Sequence, residues 1–480
     1  MVWETLLMIA RIARKEFLET TRDGRFRAAF AVVGILLLAS LALGWRHYRD
    51  IETERREAQR TTRRQWLEQG EKNPHGAAHY GVYAFKPRPP LALVDPGVDA
   101  FTGVAVWLEA HKRNGLRHRP ARDATALARF GELTAAAVLQ LLVPLLIIVM
   151  AFPAFAGERD QGTLRQIMSL GVSPRDLALG KALGVSWAMA VPLVPAALMG
   201  AAALGLASGP AELLAETPRM AVMAVGYLLY FGVFLGLSLA VSASSGTSRT
   251  ALLALLGFWI VNCLIVPRAS VDLVSRLHPA PSAFEFHRAL DEELRRGINS
   301  HDPNNPGMRE LRETILKRYG VEREEDLPVS FAGIALQESE EYGYGVFDRR
   351  FADLWDVFAR QDQTQRIAAV VSPYLAVRSL SMAAAGTNFA RDRDFADAAE
   401  RYRRDLIKII NDDITHNAKG KDFGYTAGAK LWEKVPEFRY EPPNFRSGLA
   451  ESRPDLIILT AWFLASSLAA VVATARVRVS

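Results

Sequence analysis

Six apolar runs, each flanked by charged residues, punctuate the chain at residues 27–45, 133–155, 182–207, 219–242, 250–267 and 456–475. A helix that crosses a hydrocarbon layer of roughly 30 Å needs about 20 predominantly apolar residues, and each run reaches or approaches that length. Only a short Ser/Gly segment separates runs four and five, which predicts a tight hairpin. Run three carries Pro192 and Pro195, tolerable in a membrane helix where neighbours satisfy the freed carbonyls. The pattern predicts an all-α polytopic membrane protein with six transmembrane helices.

Two large polar insertions interrupt these runs, at 46–132 and 268–455, and both read as mainly helical. Residues 48–69 are dense in Arg, Glu and Gln with few breakers, predicting a solvated helix that extends the first span. Pro87, Pro89, Pro90, Pro96 and Gly97 then mark turns. In the second insertion, 283–296, 308–319, 335–366 and 394–411 have helical spacing, separated by Pro303, Pro306 and Pro328. The stretch 368–385 is moderately apolar, but Pro373 and Arg378 interrupt it, so it is expected to pack on the domain or membrane surface rather than span.

An even number of spans puts both termini on one side, and basic residues in short connections say which. The connection 156–181 carries Arg159, Arg165, Arg175 and Lys181, whereas 208–218 carries Glu212 and Glu216 and no basic residue. The former is therefore expected in the cytoplasm. The N-terminus (Arg11, Arg14, Lys15), the hairpin (Arg249) and the tail (Arg476, Arg478) fall on the same side, which leaves both insertions extracytoplasmic. Arg46, Arg49, Arg55 and Arg56 pull the other way, although the rule weakens for long segments. The polar lead before the first run is too long for a cleaved signal peptide, so an uncleaved anchor is expected.

Composition narrows the function further. Half of the 480 residues are hydrophobic, and the net charge is +6. That charge is unaccompanied by zinc-finger spacing, an RNA-binding signature or a basic heptad region, so no nucleic-acid partner is expected. The single cysteine, Cys263, lies inside run five and excludes both an internal disulfide and a cysteine metal cluster. In residues 1–26, Trp3, Leu6, Leu7 and Ala10 fall at helical spacing, while Arg11, Arg14 and Lys15 can meet lipid phosphates. This predicts an amphipathic helix in the interface plane, with membrane lipid as its partner; a flexible basic leader is the alternative.

The connection after run two is more specific. Phe155 and Ala156 precede Glu158, then come Gly162, Thr163 and Leu164, a short segment through Ile167 and Met168, a turn ending at Ser173, and Gly180 and Lys181 opening the next run. Thr163 can cap a helix that Leu164, Ile167 and Met168 make apolar on one side, and an apolar ridge in a short polar loop needs a partner surface. The bland reading is a helix that packs only on lipid. The whole connection resembles the signature of ABC-2 type permeases, and the two enlarged insertions resemble those of a bacterial subfamily with large extracytoplasmic insertions.

That resemblance implies the membrane-spanning permease subunit of an ATP-driven transporter in a bacterial inner membrane, of exporter type by family. It makes Glu158, Gly162, Thr163, Leu164, Ile167 and Met168 a coupling helix, with Glu158 bracing the loop through nearby Arg or helix N-terminal amides. It further implies two copies of a nucleotide-binding ATPase subunit and a second permease, identical or related. No phosphate-cradling Gly-rich loop is present, because Gly180-Lys181 is followed by Ala182. The chain is thus expected to bind no cofactor and to be no enzyme, with ATP and Mg on the partner.

Other residues carry weaker signals. Gly232 and Gly236 permit close helix approach within the subunit or across a dimer. Asn262, Tyr227 and Tyr230 can line a pathway or make helix contacts, the usual role of such residues in spans. His75 and His79, four apart, can share a metal that Glu109 or His111 completes; solvated or hydrogen-bonded structural histidines are the competing reading, and no metal is assigned. A competing function is a membrane-anchored extracytoplasmic ligand-binding or sensory protein without ATP coupling. A membrane enzyme lacks any supporting motif.

Overall fold

Backbone groups in hydrocarbon must bond within the protein, and six long apolar helices meet that demand here: Phe26–Leu67, Ala135–Asp160, Pro174–Ser208, Pro210–Ser244, Ser248–Leu277 and Ala450–Ala475. The computed structural model describes residues 2–120, 133–302, 304–421 and 424–477. Part of the first insertion, and Arg478, therefore lie outside the described residues. The second span is the most enclosed of the six, so it occupies the middle of the bundle. Ile35, Leu198, Leu228, Leu253 and Leu468 point away from the protein on the others, as lipid-facing side chains must.

Several helices outrun their apolar cores. Gly24–Leu67 is one helix of 44 residues, about 66 Å long at the usual rise, and it carries the first span directly into the insertion. The arginines that opposed the charge rule lie on it and are locally balanced: Glu52 accepts from Arg55 and Arg56, Asp50 is 3.9 Å from Arg46, and Arg49 sits over the Trp45 ring. Pro174–Ser208 runs unbroken through Pro192 and Pro195. Where the sequence suggested a loop at 208–218, Gly209 alone joins the third and fourth helices, and its φ of 86° is one that only glycine adopts without strain.

The two insertions fold together as one domain. The long first helix ends beside Leu431 and Trp432, and Trp66, Ala78, Val106, Phe395, Ile410 and Trp432 share a single core drawn from both segments. Trp66 donates to the Trp432 carbonyl at 3.0 Å, and Trp432 donates to the Gly70 carbonyl at 2.8 Å. Arg403, 1% exposed, is enclosed by Glu400 and Glu340 and donates to the Glu109 carbonyl. Lys86 is enclosed between Asp99 and Asp392; burial opposes its charge, but the two carboxylates prevail and hold its pKa above the ordinary lysine value.

The first insertion departs from the mainly helical expectation. After a short helix, Pro74–Tyr80, it forms an antiparallel sheet of β1 (Val82–Phe85), β2 (Ala105–Glu109) and β3 (Lys112–Arg113) in the order β1-β2-β3, with Val82 opposite Leu108. The flanking prolines and glycines leave segments too short for helices. Alternation of buried Val82 and Ala84 with half-buried Tyr83 and Phe85 fits a strand with one face on the core. The apolar stretch of the second insertion becomes helix Pro373–Ala385, buried against the fourth and sixth spans, with Leu380 filling the space beside Gly226.

Trp432→Ala removes the central side chain of the shared core together with its hydrogen bond. It is expected to lower domain stability by about 3–5 kcal/mol, read as a shift in denaturant midpoint of the purified protein.

Candidate functional site

The second span breaks at 152–155, just before the connection that carries the family-like motif. Ser242 of the fourth span repairs the break: its hydroxyl accepts from the Phe155 and Ala156 amides at 2.9 and 3.1 Å and donates to the Phe152 carbonyl at 2.7 Å. A short helix, Ala156–Asp160, follows, then Gly162 with φ 72°, then helix Thr163–Ser169. Gly171 turns the chain again, and Ser173 accepts from the Asp176 amide at 3.1 Å to start the third span.

Two ion pairs tie this loop to the N-terminal helix, and a third closes the loop on itself. Lys181, deeply buried, bonds Glu16 at 2.9 Å and Glu158 at 3.2 Å, and Lys15 lies 3.6 Å from Glu158. Helix Val2–Arg22 comes this close because Gly180 and Gly184 lack side chains. A Cβ at either would stand 2.5 Å from the Cβ of Ile12 or Glu16. The opposite face of that helix leaves Trp3, Leu6 and Leu7 exposed, as an interface-lying helix would. On the other flank, Arg159 donates to the carbonyls of Ser245 and Ala243, while Asp160 accepts from the Ser248 amide and hydroxyl. Lys15, Glu16, Asp160, Ser242 and Ser248 thus join the site, and no local motif marks them; the one sequence signal for a partner is Lys181 itself, a charge at the opening of an apolar run.

The loop corrects three expectations. Thr163 does not cap its helix, because Gly162 occupies the cap position; the Thr163 hydroxyl instead donates to the Glu158 carboxylate. Glu158 is held by lysines and Thr163 rather than by Arg or helix amides. Leu164 faces inward: it packs with Phe155, Leu177, Leu239 and Ala243, and Ile167 and Met168 lean on the same cluster. An apolar stripe satisfies either an internal or an external surface, and here the subunit's own helices claim it. The outward side consists of Arg165, Gln166, Ser169 and Leu170, the last 80% exposed.

Residues 10–323 match the profile described as ABC-2 family transporter protein. The chain belongs to the ABC-2 transporter family. Residues 283–441 also match a domain of unknown function, DUF3526, which covers most of the second insertion. No curated protein matches the sequence. Family membership makes this chain a multi-pass membrane permease of an ABC transporter.

The span residues serve helix contacts in this ABC-2 permease. Gly232 and Gly236 let the sixth span approach, since a Cβ on either would stand 2.6 Å from Phe463 or 3.0 Å from Ser466. Tyr227 is buried between Gln140 and Ser381, and Tyr230 donates to the Gln140 carbonyl at 2.9 Å. Asn262 lies in a π-turn, Val261–Ile265, and donates to the Phe258 carbonyl of its own helix, while its backbone carbonyl accepts from Ser372.

Away from the membrane, His75, His79 and His111 converge and His301 of the second insertion joins them, with ligand atoms all within 4.8 Å of one another. Glu109 stays out, its carboxylate taken by Asn114 and Lys112. Burial, then the neighbouring imidazoles, pushes His75 down to about 3. Separately, a cavity of about 520 Å³ opens where the domain meets the spans, lined by Trp355, Phe358, Arg366, Arg378, Arg393 and Asp455.

Lys181→Met leaves buried Glu16 and partly buried Glu158 without their shared cation. Removing one member of a buried ion cluster costs about 3–5 kcal/mol. A matching fall in thermal stability in detergent is expected, partly restored by adding Glu16→Gln.

Proposed function

We propose that this permease is driven by a separate ATPase subunit that grips the loop between the second and third spans. The observation that carries the reading is the loop's construction. Its roots are fixed to the N-terminal helix, the fourth span and the hairpin before the fifth, while its tip projects Arg165, Gln166, Ser169 and Leu170 into solvent. A rigid lever with an unpaired apolar knob suits a groove on another protein, and force applied there reaches the spans through Ser242, Arg159 and Lys181.

In this reading the loop and both termini are cytoplasmic, in a bacterial inner membrane, and the fused insertions stand outside. Two ATPase copies, carrying ATP and Mg, act on two permease subunits, identical or related, because a pathway formed between subunits needs a lever in each. Leu164, Ile167 and Met168 contribute by holding the lever rigid, and Glu158 and Thr163 by locking its root. Transport is outward, and the cavity at the foot of the domain receives cargo as it leaves the bilayer. Trp355 Nε1 and Asp455 Oδ1, buried in the wall of that cavity, have no bonding partner among the described residues.

Leu170→Asp places a charge at the centre of the proposed contact, a position where one residue is commonly worth about 1–2 kcal/mol or more. ATPase copurification is expected to drop roughly tenfold, and transport-coupled ATP turnover with it, while the permease stays folded. Unchanged copurification and turnover would refute the contact. A Ser169→Cys probe in a Cys263→Ala background should label only from the cytoplasmic side.

A further inference from the structure

Four of the chain's nine histidines meet at one point, although they come from three separate stretches of sequence. His75 and His79 project one turn apart from helix Pro74–Tyr80, whose first turn is fixed by Asn73 accepting from the Gly76 amide at 3.1 Å. His111 sits at the turn between β2 and β3 with φ 62°, a left-handed conformation that a side-chain-bearing residue adopts only under constraint. His301 arrives from the second insertion, where Asn299 accepts from its amide at 3.0 Å.

Their mutual geometry is that of ligands converging on one shared point. The six ring-to-ring separations all fall between 4.5 and 5.8 Å, so no ring is an outlier. Four imidazoles around a tetrahedral ion with metal–nitrogen bonds of about 2.0–2.1 Å would place their rings roughly 5 Å apart and neighbouring nitrogens about 3.3 Å apart. Here His75 Nε2 lies 3.1 Å from His79 Nε2, and His111 Nε2 lies 3.2 Å from His301 Nε2.

A supporting shell is also present. Glu340, 1% exposed, lies 3.0 Å from His111 Nδ1 and accepts from the His111 amide, and Arg403 holds Glu340 at 3.1 Å. A carboxylate on Nδ1 fixes the proton there and turns the Nε2 lone pair toward the cluster, the arrangement found behind histidine ligands of metals.

We propose that His75, His79, His111 and His301 together bind a single divalent transition-metal ion of the zinc class, and that the ion clamps the first insertion to the second. Imidazole nitrogens favour zinc, copper, cobalt or nickel over the oxygen-seeking magnesium and calcium. Four protein ligands leave no open position for a reacting water, so the site is structural. The ion reaches it through the exposed edges of His79 and His301. The site stands apart from the ATPase-facing loop, and the two readings fail independently.

The test uses the full chain purified in detergent, stripped with chelator and titrated with zinc ion, with metal content, cobalt-substituted absorption and melting temperature as readouts. About one zinc per chain, a tetrahedral cobalt spectrum and a zinc-dependent rise in melting temperature are expected, with no response to magnesium. His301→Gln, in an exposed turn, should weaken binding by at least tenfold, and His75→Ala with His301→Gln should abolish it. Glu340→Gln should weaken binding about 10- to 100-fold, and Glu109→Gln should leave it unchanged. Failure of the wild-type chain to retain micromolar zinc, or undiminished binding in a cooperatively melting His301→Gln variant, would overturn the site.

Discussion

Hydrocarbon offers a peptide group nothing to bond with except the protein itself, and this chain breaks a helix at the membrane boundary all the same. The single hydroxyl of Ser242 makes that break possible by bonding both ends of it. Everything that distinguishes the loop follows from there. With the second span ended cleanly, the chain can turn at Gly162 and Gly171 and return into the third span at Ser173. The buried cation of Lys181 then finds two carboxylates, one from the loop and one from the N-terminal helix. The N-terminal helix is therefore part of the same mechanical unit, docked across Gly180 and Gly184 rather than floating on lipid alone.

A second constraint governs the far side. The first span does not stop at the membrane but continues as one helix into the domain, where its end is gripped by Trp432. A helix of that length is a stiff rod, so motion of the first span and motion of the domain are coupled. The fused core, the buried Arg403 cluster and the four-histidine point each join the first insertion to the second. Helix Pro373–Ala385, wedged against the fourth and sixth spans, anchors that joint domain to the bundle from below. The permease has rigid connections at both ends of its spans, as a protein needs when force applied on one side must be felt on the other.

The same residues explain why some sequence expectations transferred poorly. Leu164, Ile167 and Met168 form an apolar stripe of correct period, yet periodicity says only that a face is buried and not what buries it; Leu239 and Ala243 do. Leu170, the exposed residue, lies off the stripe and carried no periodic signal. In the first insertion the alternation at 82–85 escaped notice, because strands of four or five residues hold too few positions for a pattern to stand out.

Sequence alone determined the six spans, their order, the solvated extension of the first one and the family to which the membrane portion belongs. Those are local properties: a run of apolar residues needs no partner to declare that it avoids water, and a short motif is read within its own loop. Only the tertiary structure decided that two insertions separated by four spans form one core, that Lys181 serves Glu16, and that His301 completes a group begun by His75, His79 and His111. Such pairings depend on which distant segments the bundle brings side by side, and no spacing along the chain encodes that distance.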